Sequence, residues 1–258
     1  MKKLTAVLVA LAVLACFFVS CAESGADEKE AAYISFEQRA LFNKAVSVGD
    51  ADQVKDMLEE NAALANAPLS QTVEEYSRSA NDDTPLIAAG NNREIINLLL
   101  ESGADVNAGT PFSGRFPLTA VLGEGSSEER FETAWYLIGR GADVGIQDRV
   151  YGNFLCALLR NPASRSFNAQ NYATLLARHA WEQGLPLVVT DGEYHGMTSI
   201  LGLAVKNGYS LVTDWLVFLA GVEADSVVSS DGKTALEVAL ENEQSLIADI
   251  LVSAGAKK

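Results

Sequence analysis

Apolar residues recur at three- and four-residue spacing in several short stretches of this chain, and polar, turn-forming residues separate those stretches. The clearest stretch covers residues 83–108, where two apolar segments flank a polar break. The spacing predicts two short helices, the first with Thr84 as its cap and Pro85 at its first position. Gly103 should end the second helix, since glycine adopts the left-handed conformation without a Cβ clash.

Two helices this short cannot bury their apolar faces alone, so the unit needs neighbours. Comparable patterns recur along the chain, each with an apolar segment, a turn and a second apolar segment. They divide the chain into six units, numbered one to six here, at residues 36–67, 83–108, 116–144, 152–184, 196–225 and 231–256. The repetition predicts a stack of similar units.

Unit two carries the residues TPL at 84–86 and EIINLLLESGADVNA at 94–108. These residues resemble an ankyrin repeat, which is a turn plus two helices over about 33 residues. The resemblance implies antiparallel helix pairs with outward-pointing hairpin loops, stacked into a curved solenoid that binds other proteins. The expected fold class is therefore all-α, an ankyrin-repeat solenoid of about six helix-turn-helix units with hairpin loops. Ile87 stands where the family usually has a histidine, so the hydrogen bond that this histidine makes is absent.

Three polar interruptions depart from a regular repeat. An insertion at 68–81 is longer than the family's usual loop, and residues 123–129 lengthen unit three. Residues 161–168 break unit four before its second helix at 172–181. Because of this break, we expect unit four to exchange its amide hydrogens fastest among the interior units. In unit one, Asn61 takes the position of the glycine that ends a second helix, a role asparagine can fill.

Residues 1–20 combine two lysines, an apolar run and small residues, which is typical of a bacterial export signal. The run is shorter than the roughly 18 residues that a membrane-spanning helix needs. It ends in FVSC at 18–21, which resembles the lipobox, where a signal is cut before a cysteine that becomes lipidated, here Cys21. Two alternatives stay open, a second match at residues 13–16 and a plain secretory cut after Ala22.

The predicted organisation is a signal peptide at 1–20, a lipid-anchored acidic tether at 21–35 and an ankyrin repeat domain at 36–258. The expected location is the bacterial cell envelope, with the protein lipid-anchored and either periplasm-facing or at the surface. A soluble periplasmic protein is the alternative. Membrane contact is expected only through the lipid anchor, and the protein is expected to be a monomer.

The charge balance narrows the choice of partner. The formal net charge is −15, and removal of residues 1–20, with Lys2 and Lys3, makes it more negative by two units. Binding to nucleic acid needs basic patches, so we expect no nucleic-acid partner. A basic protein partner should associate faster, because opposite charges steer the encounter. The three cysteines form no CxxC pair, so neither a zinc site nor a disulfide framework is predicted.

One segment could carry chemistry, the sequence TDGEYHG at 190–196. Asp191, Glu193 and His195 could bind a metal or do acid–base work, and an envelope enzyme would use them. In the repeat register, however, the segment is a hairpin loop, where such residues are favoured. The chain has no GxSxG, GxxxxGKS/T or HExxH motif. We therefore predict no enzyme, no cofactor and no metal site.

Partner binding is expected at the hairpin tips and on the concave face made by the first helices, as the resemblance implies. Carried over by register, the tips are at residues 112–115, 149–151, 193–195 and 229–231. Aromatic and arginine side chains dominate interface energetics. The candidate partner-binding residues are Phe112, Arg115, Arg149, Tyr151, Tyr194 and His195. The alternative is that each aromatic side chain packs on the base of its own loop.

The sequence thus predicts a non-catalytic protein–protein interaction module exported to the bacterial envelope, which binds a protein partner through its hairpin tips and concave face. Two other functions stay open, an exported effector or toxin-neutralising ankyrin protein and a small-ligand or metal-binding envelope protein. Export out of the cell would indicate the first. Thermal stabilisation by a ligand or a divalent cation would indicate the second.

Overall fold

The computed structural model describes residues 34–124, 128–164, 166–189 and 196–257. In these residues the chain forms thirteen α-helices, one 3-10 helix at Ala62–Asn66 and only isolated β-bridges. The helices are α1 (Phe36–Val48), α2 (Ala51–Glu60), α3 (Val73–Ser79), α4 (Pro85–Ala88), α5 (Arg93–Glu101), α6 (Pro117–Glu124), α7 (Glu129–Gly139), α8 (Phe154–Leu159), α9 (Phe167–Glu182), α10 (Ile200–Asn207), α11 (Ser210–Phe218), α12 (Ala235–Glu241) and α13 (Ser245–Ser253).

Twelve of these helices form six pairs, one for each predicted unit, and the pairs stack in chain order. The first helices, α1, α4, α6, α8, α10 and α12, form an inner row in which each helix packs against the next. The second helices, α2, α5, α7, α9, α11 and α13, form an outer row. Only α3, in the insertion at 68–81, lies outside the pairs. The expectation of six helix-turn-helix units is confirmed.

Unit two shows how the local sequence sets the turns. Gly103 ends α5 with a φ of 87°, and the N–H of Ala104 then donates to the Leu99 carbonyl at 2.9 Å. Pro85 occupies the first position of α4, as predicted. Thr84 is the residue before the first helical position, as predicted, but the expected capping bond is absent, because its side chain makes no hydrogen bond to the helix. Its hydroxyl oxygen is buried without a partner, close to the site where Ile87 replaces the histidine of the family pattern.

The role predicted for Asn61 is also wrong. Its φ of −149° is extended, whereas a residue that ends a helix in place of glycine adopts a left-handed conformation. The carboxamide oxygen of Asn61 instead accepts a hydrogen bond from the Ala63 N–H at 3.1 Å and begins the 3-10 helix.

The insertion at 68–81 contains a helix that the sequence analysis missed. The Thr72 hydroxyl accepts from the Glu75 N–H and caps α3. Arg39 of α1 is 1% exposed, forms an ion pair with Glu75 at 2.6 Å and donates to the Leu69 carbonyl at 3.2 Å. A buried arginine therefore fastens the insertion to unit one.

Unit four is more regular than its sequence indicates. Helix α9 begins at Phe167, five residues before the predicted start, because Ser166 caps it through the Ala169 N–H. A buried hydrogen bond of 2.9 Å joins Arg130 of unit three to the Tyr209 hydroxyl of unit five. That hydroxyl also donates to the Leu158 carbonyl of unit four, and burial raises the pKa of Tyr209. The Tyr209 side chain therefore ties unit five to both unit three and unit four.

Candidate protein-interaction surface

The first hairpin tip, at 112–115, is fixed from below by one carboxylate. Asp82 is 2% exposed and accepts hydrogen bonds from the N–H groups of Phe112 at 2.6 Å and Ser113 at 2.8 Å. The Ser113 hydroxyl donates to it at 2.7 Å. Burial alone would raise the pKa of Asp82, but the hydrogen bonds from Ser113 and Phe112 outweigh it and leave the pKa below its ordinary value. The tip is therefore held by an ionised group.

Phe112 is half-buried because its ring stacks on the ring of Tyr76 in α3. The ring centroids are 5.1 Å apart and the planes lie 26° from parallel. Tyr76 therefore joins the insertion to the first hairpin tip. We call these two side chains the Tyr76–Phe112 platform.

Arg115 belongs to the same hairpin tip as Phe112 and is mostly enclosed. Its guanidinium forms an ion pair with Asp83 at 2.6 Å, and both side chains are 17% exposed. Burial raises the pKa of Asp83, an effect that the charge of Arg115 only partly offsets. Arg115 therefore supports the tip from within, with little surface left for a partner.

At the second tip, Tyr151 is turned away from solvent and packs against Gly123 of unit three. It is 6% exposed, and a Cβ added to Gly123 would lie 2.5 Å from its ring. Asp148 holds the loop by accepting from the N–H groups of Val150 at 2.7 Å and Tyr151 at 2.8 Å. The Tyr151 ring is thus part of the contact between units three and four.

Arg149, by contrast, is exposed and connects the two tips. Its N–H donates to the Gly114 carbonyl at 3.0 Å, and its aliphatic stem lies so close to Gly114 that an added Cβ would be 2.5 Å away. The guanidinium also reaches the Phe112 carbonyl at 3.5 Å. The structure therefore brings Phe112 and Arg149 to one surface, together with Tyr76, and places Arg115 and Tyr151 beneath it.

Tyr76 was absent from the predicted site, although a signal for its helix was present. Thr72 followed three residues later by Glu75 is the pattern of a helix N-terminus, and it places Tyr76 on a helix. The predicted site residues Tyr194 and His195, and the possible chemistry of Asp191 and Glu193, lie outside the described residues. The same holds for Cys21 and the signal at 1–20.

The described residues include no group of three or more His, Cys, Asp or Glu side chains that could hold a metal ion. Within the same ranges, no helix has the length and apolar character needed to cross a membrane. Open cavities between described residues include three along the inner row. They have volumes of about 570 Å³ between α1 and α4, about 370 Å³ between units five and six, and about 260 Å³ between units four and five.

Comparison with known proteins agrees with this architecture. The family described as Ankyrin repeat matches residues 81–111. An ankyrin repeat domain from Acinetobacter baumannii AYE is similar with 20% sequence identity and a TM-score of 0.55, over 84% of this chain and 98% of that one. The ankyrin repeat domain of human ASB11 is similar with 17% identity and a TM-score of 0.57, over 84% of each chain. No curated protein sequence matches significantly. The fold of this chain is thus an all-α ankyrin-repeat solenoid.

Proposed function

We propose that this chain is a non-catalytic interaction module that binds a protein partner through the Tyr76–Phe112 platform and Arg149. The observation that carries the proposal is the stacking of Tyr76 on Phe112, with the exposed Arg149 beside it. Aromatic and arginine side chains are the residue types that dominate interface energetics. Ankyrin repeats generally mediate protein–protein interaction, which supports the same function.

The support beneath this surface also favours binding. Asp82 fixes the first tip through three hydrogen bonds, and the pair of Arg39 with Glu75 fixes the insertion that carries Tyr76. A surface that is already ordered loses less side-chain and loop entropy when a partner docks. The two aromatic rings can therefore act as rigid anchors.

The proposal includes export to the bacterial envelope with a lipid at Cys21. It rests on the sequence alone, on the apolar run of residues 1–20 and the FVSC segment at 18–21. Replacement Cys21→Ala should move the protein from the membrane fraction to the soluble fraction of the envelope. A variant that stays in the membrane fraction would favour anchoring by an uncleaved signal, and a native chain already in the soluble fraction would favour the cut after Ala22.

The experiment that tests the interaction is a pull-down from envelope extract with the chain from Glu23 onward as bait. We expect one protein to be captured by the native chain and lost with Phe112→Ala/Arg149→Ala. The matched control is Phe218→Ala/Arg178→Ala, which removes the same two residue types from the outer row, where Phe218 is 50% exposed and Arg178 is 57% exposed. Equal capture by both double variants would contradict the proposed surface. A folded bait that captures nothing would favour a small ligand or a partner outside the cell.

A further inference from the structure

Two arginines share one tyrosine ring on the outer row, between units two and three. Arg93 is the first residue of α5, and Arg140 follows the last residue of α7. The guanidinium carbon of Arg93 lies over the Tyr136 ring, 3.7 Å from its centroid, and that of Arg140 lies 4.8 Å from the same centroid. The two guanidinium carbons are therefore at most about 8.5 Å apart. We call Arg93, Tyr136 and Arg140 the Tyr136 cluster.

The Tyr136 cluster is held in place by both outer helices. The Tyr136 hydroxyl donates to the side-chain oxygen of Asn97 in α5, and the Arg93 guanidinium donates to the Glu132 carbonyl of α7 at 3.2 Å. Tyr136 and Arg93 are half-buried, whereas Arg140 is exposed. Attraction between a cation and an aromatic ring keeps both guanidinium groups beside Tyr136. Because a guanidinium has five N–H donors, most donors of the cluster are left for a ligand.

Neither arginine of the cluster is paired with an acid of the described residues. Glu94, Glu101 and Glu132 lie on the same two helices with exposed side chains, yet none of them forms an ion pair with Arg93 or Arg140. Elsewhere arginine side chains do contact carboxylates: Arg39 with Glu75, Arg78 with Glu74, Arg115 with Asp83 and Arg178 with Glu182. The cluster therefore brings two cations together in a chain of net charge −15, and an anion beside them would be attracted to both.

We propose that the Tyr136 cluster binds an acidic segment of the protein partner, with one carboxylate on each guanidinium. The planar guanidinium can donate two parallel hydrogen bonds to a carboxylate. Acidic side chains four residues apart on a helix have Cβ atoms about 6 Å apart, a spacing that lets their carboxylates reach both arginines.

The inference rests on the proposed interaction function and adds a second contact, on the outer row of helices. Arginine and tyrosine are also residue types that dominate interface energetics. The site refines the expected charge of the partner. The overall negative field favours a basic partner at long range, whereas contact with the Tyr136 cluster requires an acidic segment.

The test is fluorescence anisotropy with three labelled, alanine-rich helical peptides. The first carries two glutamates four residues apart, the second carries them two residues apart, and the third has glutamine in their place. At about 0.15 M salt the screening length is about 8 Å, so long-range repulsion is damped while direct contact persists. We expect saturable binding of the first peptide, binding about tenfold weaker or more for the second, whose glutamates point to different sides of the helix, and none for the third.

Substitutions locate the binding. Arg93→Gln and Arg140→Gln should each weaken binding of the first peptide about tenfold or more, as expected when a charge-assisted hydrogen bond is lost. Tyr136→Leu should also weaken it, although the charge is unchanged, because the ring that positions both arginines is gone. Tyr136→Phe keeps the ring and should retain most of the binding. Because Arg140 is exposed, Arg140→Gln should keep the urea midpoint of the native chain.

The matched control is Arg178→Gln, which removes one positive charge from the outer row at a pair with Glu182 and should leave binding unchanged. No saturable binding, equal binding of the first and third peptides, or the same loss with Arg178→Gln as with Arg140→Gln would each overturn the site. Equal binding of the two glutamate peptides would overturn the arrangement of one carboxylate on each guanidinium. Because the pull-down compares Phe112 and Arg149 variants, it can succeed while this test fails, and the two failures are distinguishable.

Discussion

The hairpin side of the molecule and the helix stack beneath it are held together in different ways. On the hairpin side, charged and hydrogen-bonding side chains make the decisive contacts, among them Arg39 with Glu75 and Arg115 with Asp83. In the stack, apolar side chains such as Leu99 and Leu158 are completely buried between units. Apolar contact is non-directional and suits repeated stacking, whereas polar contacts fix the direction of single loops.

This difference predicts that damage to the stack spreads, while damage to a polar contact stays local. Units of a solenoid depend on their nearest neighbours for most of their buried surface. An insertion or a hairpin contributes little to that surface and can loosen without loss of the stack. The following substitutions test the comparison, from the largest expected effect to the smallest.

Leu99→Asp should have the largest effect. Leu99 is 0% exposed, so the substitution places an unpaired charge in the apolar contact between units and should cost more than about 4 kcal/mol. Hydrogen exchange should show lost protection in units one and three as well as in unit two. Leu240→Asp is the control, because Leu240 is 57% exposed. Damage confined to unit two would contradict the dependence of each unit on its neighbours.

Arg39→Ala should have the next largest effect and lower the free energy of unfolding by about 3 kcal/mol. The substitution leaves Glu75 without its partner and empties a buried position. The loss should be local, with rapid protease cleavage inside 68–81 while the helix pairs stay protected. Arg78→Ala is the matched control in the same insertion. Arg78 pairs with Glu74, and both side chains are 75% exposed, so its loss should stay within about 0.5 kcal/mol. Cleavage at the same rate in both variants would show that Arg39 does not fasten the insertion.

The sequence predicted the stack of helix pairs well, but it did not predict the polar contacts that hold the insertion and the loops in place. Six helix pairs follow from apolar spacing, and the turn at Gly103 follows from the conformational freedom of glycine. The burial of Arg39 has no such local signal, since arginine is mostly exposed in proteins and the partner Glu75 lies 36 residues away. Unit four was expected to be irregular from its polar residues, but Ser166 caps a helix there. The faster exchange expected of unit four stays a prediction.

The candidate surface was predictable only in part, for a related reason. Phe112 and Arg149 follow from the position of the hairpin tips in the repeat register. The inward direction of Tyr151 depends on Gly123, whose missing side chain leaves room for the ring. The contact between Tyr151 and Gly123 forms only when the units stack, and neither segment carries a local sequence pattern that predicts it. Sequence spacing therefore locates a tip, and packing between units decides which of its side chains faces solvent.

Gly123→Ala tests the place where a hairpin and the stack meet. The added Cβ would lie 2.5 Å from the Tyr151 ring, so the ring must shift, and the cost should be about 2 kcal/mol. Gly139→Ala is the matched control, because it lies in α7 and an added Cβ would meet no atom within 4 Å. That control should stabilise the protein slightly, since alanine favours a helix more than glycine does. Urea unfolding of both variants measures the difference, and equal midpoints would contradict the packing of Tyr151 on Gly123.

Thr84→Val has the smallest expected effect and the opposite sign. The Thr84 hydroxyl is buried and has no hydrogen-bond partner, so its replacement by a methyl group of similar shape should stabilise the protein by about 1 kcal/mol. Thr234→Val is the control at the equivalent position of unit six, where the Thr234 hydroxyl accepts from the Glu237 N–H at 3.3 Å and caps α12. Loss of that cap should cost about 1 kcal/mol. If urea unfolding showed the same loss for both variants, Thr84 would be a working cap in solution. If Thr84→Val raised the free energy of unfolding and Thr234→Val lowered it, a buried polar side chain would destabilise the stack unless it forms a hydrogen bond.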